Sequence, residues 1–202
     1  MKNILTFTLI ISLLSCKAQQ IIIPLAGTQD YQNSPNYYLK DADNDFNKFE
    51  GTWKYQNGNT EFIIELQKKE YINDNNGGYI YDLLIGEYKY TLDNIMIVNT
   101  LPLMSDSSII GFGHYISGNT IIGKNSWPIC TDCNILERRV SVIISNPANT
   151  DAMGRLTLRY VNDNGVEKIE AHIQDNSIGY FEGMSEPPSL DMHSGNYVFI
   201  KQ

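Results

Sequence analysis

Phe49-Glu50-Gly51-Thr52-Trp53-Lys54-Tyr55 is the stretch on which the reading of this chain turns. A glycine at a strand start permits close backbone approach, and Gly51 is placed for that role. Trp53 is one of only two tryptophans in 202 residues. A large ring at the head of a first strand suits the closed end of a small barrel. Strand alternation sets Gly51, Trp53 and Tyr55 on one face. Asn57-Gly58, a strong short hairpin signal, then returns the chain as a second strand. In that strand Phe62, Ile64 and Leu66 alternate with Glu61, Ile63 and Glu65. Trp53 is therefore expected to share an interior with Phe62, Ile64 and Leu66.

Downstream of this hairpin, apolar runs and turn signals keep alternating. Strands are expected over 78–90 (bent at Gly86), 94–100, 108–116, 120–124, 135–145, 155–161, 166–174 and 197–201. Ser117-Gly118-Asn119 reads as a hairpin tip, and Asn162-Asp163-Asn164-Gly165 as a turn. Leu156, Leu158 and Tyr160 face away from Arg155, Thr157 and Arg159. Ile169, Ala171 and Ile173 form another apolar face. The stretch 175–194, with Pro187-Pro188, reads as irregular. Some eight to ten antiparallel strands with local connections and no long amphipathic helix predict an all-β, up-and-down barrel. Closure removes exposed strand edges that would promote aggregation. The segments lack the aromatic-girdled pattern of about 10 residues that marks an outer-membrane barrel.

Upstream, residues 1–15 read as a signal peptide. Lys2 supplies a positive start, and the apolar run from Ile4 to Leu14 is interrupted only by Thr6, Thr8 and Ser12. At 11 residues this run is too short to cross a bilayer, which takes about 20. Residues 16–45 read as a tether and 46–202 as the barrel domain. Ile21-Ile22-Ile23-Pro24-Leu25 is an apolar patch suited to an edge strand or to covering a barrel mouth, since Pro24 bars a central position. Residues 27–35 read as linker. Asp43 or Asn44 is placed to cap a short helical turn through Phe46 and Phe49. Asp41, Asp43 and Asp45 open like a calcium loop, but Phe46 stands where the glycine is needed and Thr52 where the bidentate Glu is needed. They read instead as a solvated acidic turn.

The formal charge is −8, and −9 once residues 1–15 are removed, since these hold one Lys and no acid. An acidic surface argues against nucleic acid and against a basic membrane-binding face. The remaining 187 residues suit one domain with a sizeable core. Charged residues are only 19% of the chain, so Asn, Ser, Thr and Tyr carry much of the polarity.

Leu13-Leu14-Ser15-Cys16 resembles the lipobox of bacterial lipoproteins: an aliphatic residue, a small residue before the cut, then the cysteine that takes the lipid. The resemblance implies acylation, palmitate included, on Cys16; the alternative is an ordinary secretory signal ending near it. Gly51-Thr52-Trp53 resembles the opening of the calycins. Lipocalins begin their first strand with G-x-W after a short helical turn, and avidin-like barrels carry G-T-W before a turn and a strand. That resemblance implies a lipocalin-like barrel with Gly51 and Trp53 packed at its base. It does not imply biotin binding, because avidin-like sites use several Trp and Trp127 is the only other one here. The lipobox, the Cys-Lys-Ala-Gln start and the Gly-Thr-Trp opening together resemble uncharacterised small lipoproteins of the Bacteroidota. Location at the outer membrane follows from the resemblance. Lys17-Ala18-Gln19-Gln20 lacks the acidic run of a surface-export signal, which favours the periplasmic face.

Cys130-Thr131-Asp132-Cys133 admits three readings. A redox C-x-x-C opens a helix, whereas Asn134-Ile135-Leu136 here heads toward a strand. A zinc site needs four ligands, and neither a second Cys pair nor a close His pair exists. A local Cys130–Cys133 disulfide pinning the loop after Trp127-Pro128 fits an oxidising compartment and is favoured. Of the three histidines, His172 lies opposite its strand's apolar face and His114 is placed mid-strand. No Ser-His-Asp spacing, H-E-x-x-H, G-x-S-x-G or phosphate loop occurs, so no catalytic residue, metal or cofactor is assigned. The expected function is a non-catalytic envelope binding module taking a small apolar ligand in a barrel cavity. The alternative is a structural or interaction lipoprotein whose filled barrel binds another envelope protein. Interior volume separates the two.

Overall fold

Alternating apolar side chains cannot be buried by a single hairpin, so successive hairpins curl until the first strands meet the last. The computed structural model describes residues 20–27, 37–74, 79–177 and 188–202. The signal peptide, Cys16 and most of the expected linker lie outside these residues. The strands are β1 (Ile21–Pro24), β2 (Tyr37–Lys40), β3 (Gly51–Asn57), β4 (Thr60–Asp74), β5 (Tyr79–Leu92) and β6 (Ile95–Asn99). They continue with β7 (Ile116–Ile122), β8 (Arg139–Asn146), β9 (Asn149–Asp163), β10 (Val166–Asp175) and β11 (Gly195–Lys201). The order β5-β4-β3-β11-β10-β9-β8-β7 closes through β5–β7 pairing, with Leu84 opposite Gly118 and Gly86 opposite Ile116. The result is a closed, antiparallel, eight-stranded barrel of the lipocalin-like kind. β6 pairs the far end of β5, and β1 and β2 add parallel strands at its near end.

The register sets Trp53 against Ile64 and Tyr55 against Phe62. Trp53, Phe62, Ile64 and Leu66 are all buried in one core with Tyr88, Phe199, Leu158 and Ile169. Trp53 is 0% exposed. Its Nε1–H donates to the Phe49 carbonyl at 2.7 Å. Its ring meets Tyr160 edge-on at 6.3 Å and lies 5.2 Å from the Lys201 ammonium. Phe46 and Phe49, on the 3₁₀ turn Asn47–Phe49 and just before it, plug this end of the barrel. Leu190 and Met192 enter the same core from the segment preceding β11, and Asn146 Nδ2 anchors that segment by donating to the Ser189 carbonyl at 2.8 Å.

A second, smaller core lies outside the barrel. Leu39, Tyr81, Leu83 and Ile85 are buried beneath Ile23, Leu25, Ile72 and Met104. β5 is thus covered on both faces, which explains the consecutive apolar residues Leu83, Leu84 and Ile85. The same outer face of β5 carries Glu87. This residue is fully buried, with its Oε1 2.8 Å from His114 Nδ1.

Several expectations are corrected. The 108–116 stretch is not a strand: it holds the 3₁₀ turn Gly111–Gly113, and His114 is buried before β7 begins. Ser117-Gly118-Asn119 is not a hairpin tip but lies inside β7, at a register shift against β8. A Cβ on Gly118 would stand 2.8 Å from Val142 Cα, so glycine marks close strand approach here rather than a turn. Gly51 differs in the opposite sense. An added Cβ would meet only Lys201 Cε at 3.6 Å, and glycine is required by φ +114 instead. The strand Tyr37–Lys40 has no counterpart in the sequence reading.

The acidic turn is not solvated either. Asp41 is buried, accepts from the backbone N–H groups of Asp45 (2.8 Å) and Phe46 (3.0 Å), and pairs with Lys68 Nζ at 3.2 Å. The turn Asn47–Phe49 has no side-chain cap, from Asp43, Asn44 or any other residue; Asp41 instead ties down Asp45 and Phe46, which lead into it. Asp82, buried beside it, accepts from the Asp41 N–H at 2.9 Å and the Tyr38 hydroxyl at 2.5 Å. Burial and the Asp82 carboxylate push the Tyr38 phenol well above its ordinary value.

Candidate functional site

Eight strands enclose a space that side chains can fill or that one small ligand can share. Here Trp53, Phe62, Ile64, Tyr88, Tyr90 and Phe199 are between 0% and 1% exposed. Rings with no accessible surface have no water-sized space beside them. Phe62 alone contacts Tyr88, Tyr90, Tyr197 and Phe199 at centroid distances of 5.2–5.9 Å. Burial, with Tyr90 and Tyr55 nearby, pushes the Tyr197 phenol up to about 12. These side chains fill the middle of the barrel, and the clefts that remain lie at its mouth, beside Tyr55, Tyr90 and Tyr197, and on its outer wall.

The strongest candidate lies on the outer wall. Leu156, Leu158, Ile169 and Ala171 point inward. Alternation therefore turns Thr157, Arg159, Glu170 and His172 outward. Over them folds the connection between β7 and β8, which carries the disulfide. Cys130 and Cys133 are joined, with Cα atoms 5.4 Å apart. Between loop and wall is a groove of about 340 Å³, lined by residues including Ile129, Cys130, Arg139, Thr157, His172 and Val198.

Two arginines hold the loop in place. Arg139 Nη1 donates to the Pro128 carbonyl at 2.6 Å, and Nη2 to those of Gly123 (2.8 Å) and Ser126 (2.9 Å). These partners are all neutral carbonyls, and burial, with Arg159 nearby, draws the guanidinium pKa below the ordinary value. Arg159 is the reverse case. Its Nε donates to Glu137 at 2.6 Å, and Nη1 to Asp132 at 2.7 Å and Glu170 at 2.9 Å. The Glu137 carboxylate, first among these partners, raises the Arg159 pKa, and Arg159 in turn holds the Asp132 and Glu137 carboxyls below their usual range. At the rim His172 Nδ1 lies 2.8 Å from Asn196 Oδ1.

The floor of the groove has two loose ends. Arg139 and Thr157 are each 3% exposed, yet Arg139 Nε and Thr157 Oγ1 have no hydrogen-bond partner among the described residues. A buried donor or acceptor left unpaired costs about 1–3 kcal/mol, so such groups are uncommon and call for a reason.

Of the residues singled out from sequence, Cys130 and Cys133 belong to the loop over this groove, and Gly51 and Trp53 lie at the plugged end of the barrel, apart from it. Cys16 lies outside the described residues. Among the described residues no cluster of three or more His, Cys, Asp or Glu is placed to hold a metal. Arg139, Thr157 and Arg159 were missed as site residues. The only sequence signal for Thr157 and Arg159 is the Arg155-x-Thr157-x-Arg159 alternation, which also describes an ordinary solvated strand face, and no sequence signal marks Arg139.

Neither the curated proteins nor the solved structures contain a match to this chain. A family of unknown function, DUF6705, matches residues 1–202, and the chain belongs to that family.

Proposed function

We propose that this protein is a non-catalytic binding module of the bacterial cell envelope. A lipid on Cys16 tethers it to the outer membrane, facing the periplasm, and its binding surface is the groove under the disulfide loop. The observation that carries the binding reading is the pair of buried, unpartnered polar atoms on the groove floor. A packed barrel is a rigid scaffold, and binding residues are commonly displayed on loops held by one. The tether rests on the Leu13-Leu14-Ser15-Cys16 motif and on the short apolar run before it. Multiple acyl chains anchor stably because each buried CH₂ contributes about 0.8 kcal/mol.

The test is a titration of the Cys16→Ala secreted protein, followed by backbone amide NMR, with three panels: small amides, saccharides and fatty acids. Shifts clustered on residues 128–132, 157, 172 and 198 are expected. Shifts confined to the barrel interior on adding fatty acid would return the ligand to a barrel cavity. Absence of saturable shifts with every panel would remove the small-ligand reading.

A second reading is favoured by a specific observation. Trp127, Ile129, Ile135 and Leu136 on the same loop are all exposed, Leu136 by 83%. An exposed apolar loop suits contact with another envelope protein. In vivo crosslinking from position 136 to a single partner, lost on Leu136→Asp, would support it.

A further inference from the structure

The two unpartnered atoms also constrain the chemistry of the ligand, on the groove-binding reading above. We infer that the groove takes a neutral, amide-bearing ligand, whose carbonyl accepts from Arg139 Nε–H and whose N–H donates to Thr157 Oγ1.

Charge comes first. Arg159 already faces three carboxylates, those of Glu137, Asp132 and Glu170. With Arg139, the local balance is two positive charges against three negative. An anionic ligand gains no net attraction there, and a cationic one meets the Arg139 guanidinium, whose partners are all neutral. A neutral ligand meets neither penalty. Hydrogen-bond type comes next. Arg139 Nε–H can only donate, while a threonine hydroxyl can donate or accept. A donor and an acceptor on neighbouring strands match the C=O of one amide and the N–H of the next in a short peptide, which an extended backbone turns to the same side. Thr157 lies on the strand next to Arg139's, because Val140 and Ser141 of β8 pair with Leu158 and Thr157 of β9.

The apolar lining points the same way. Ile129 and Val198 offer aliphatic surface. The one tyrosine in the lining, Tyr197, is engaged with Tyr55 at 4.9 Å and Phe62 at 5.6 Å inside the barrel. No phenol or indole face is left in the groove on which a sugar ring would stack.

Both unpartnered atoms are covered while the loop rests on the wall, so the ligand reaches them as the loop lifts. The resting state leaves two polar groups desolvated and unpaired. Making their bonds within a low-dielectric floor favours the bound state more than the same bonds would at the surface. A site built this way discriminates strongly against analogues that lack one of the two groups.

Thr157→Val separates binding from folding. The valine is near-isosteric and removes an unpartnered hydroxyl, so the melting temperature should hold or rise. The probes are N-acetyl-alanine N′-methylamide, its methyl ester (which lacks the second N–H), glucose and acetate, titrated into the Cys16→Ala protein by amide NMR. Saturable shifts at 128–132 and 157 with the diamide, at least tenfold weaker with the ester or with Thr157→Val, are expected, together with slowed amide exchange in the loop. Glucose or acetate binding at the groove more tightly than the diamide would overturn the ligand class while leaving the binding reading intact. No groove shifts with any probe would overturn both. A Thr157→Val protein that binds the diamide unchanged would overturn the role given to Thr157.

Discussion

Trp53→Ala is the perturbation that probes the fold most directly. Trp53 is fully buried, so truncation removes its whole ring from the core and leaves a cavity. Such changes cost about 3–5 kcal/mol. Two further losses are specific to this site. The Phe49 carbonyl loses the indole donor at 2.7 Å, a bond worth about 1 kcal/mol net. The edge contact with Tyr160 at 6.3 Å also goes; such pairs contribute about 0.5–1.5 kcal/mol. Because Phe49 is itself part of the plug, the loss couples the 3₁₀ turn to the barrel. Together these losses come to about 4.5–7.5 kcal/mol; in a domain this size each kcal/mol moves the melting temperature by about 2–4 °C, so a fall of roughly 9–30 °C is expected. Trp53→Phe keeps most of the packing and loses the hydrogen bond, and should fall between wild type and Trp53→Ala. Trp127, 59% exposed, with its indole N–H donating to Gln174 Oε1 at 3.1 Å, is the internal control. Urea denaturation followed by circular dichroism supplies the free energies without relying on tryptophan emission. The reasoning fails if Trp53→Ala costs no more than Trp127→Ala.

The remaining expectations concern strand contact, alkaline stability and the disulfide. Gly118→Ala forces a Cβ to within 2.8 Å of Val142 Cα and should destabilise by about 1–3 kcal/mol, read as a shifted urea midpoint with unchanged slope. Burial raises the Tyr197 phenol to about 12, above its unfolded value of about 10. Its neutral form therefore stabilises the fold fully below about pH 10, and that contribution is lost as pH rises through about 12. Stability should fall over that window, and Tyr197→Phe should flatten the fall; ionisation of Tyr197 near pH 10 without unfolding would contradict the burial. Reduction of Cys130–Cys133 should increase amide exchange in the loop while the barrel strands stay protected, since Arg139 and Arg159 also hold it. Global unfolding on reduction would refute this.

Much of the barrel was legible in the chain because its determinants are local. Phe62, Ile64 and Leu66 alternate with polar residues at a period of two, and Asn57-Gly58 and Asn164-Gly165 supply turns that only a few residues can make. These features depend on nearest neighbours, so they can be read without knowing what lies across the barrel. Gly118, Asp41 and the 108–116 stretch were misread for the complementary reason. Glycine beside serine and asparagine means a turn in local terms, but Val142 lies against Gly118 only once β7 and β8 have paired. Asp41 looks solvated until Lys68 and Asp82 come to it from other parts of the chain and leave its carboxylate to the nearby N–H groups of Asp45 and Phe46. The groove is the extreme case. Arg139, Thr157 and Arg159 come from two strands, and Glu137, Asp132 and Glu170 from a loop and a third strand. Whether a strand's polar face meets water or a loop is a property of the closed barrel, because burial is decided by what the fold lays over a residue and not by the residue itself.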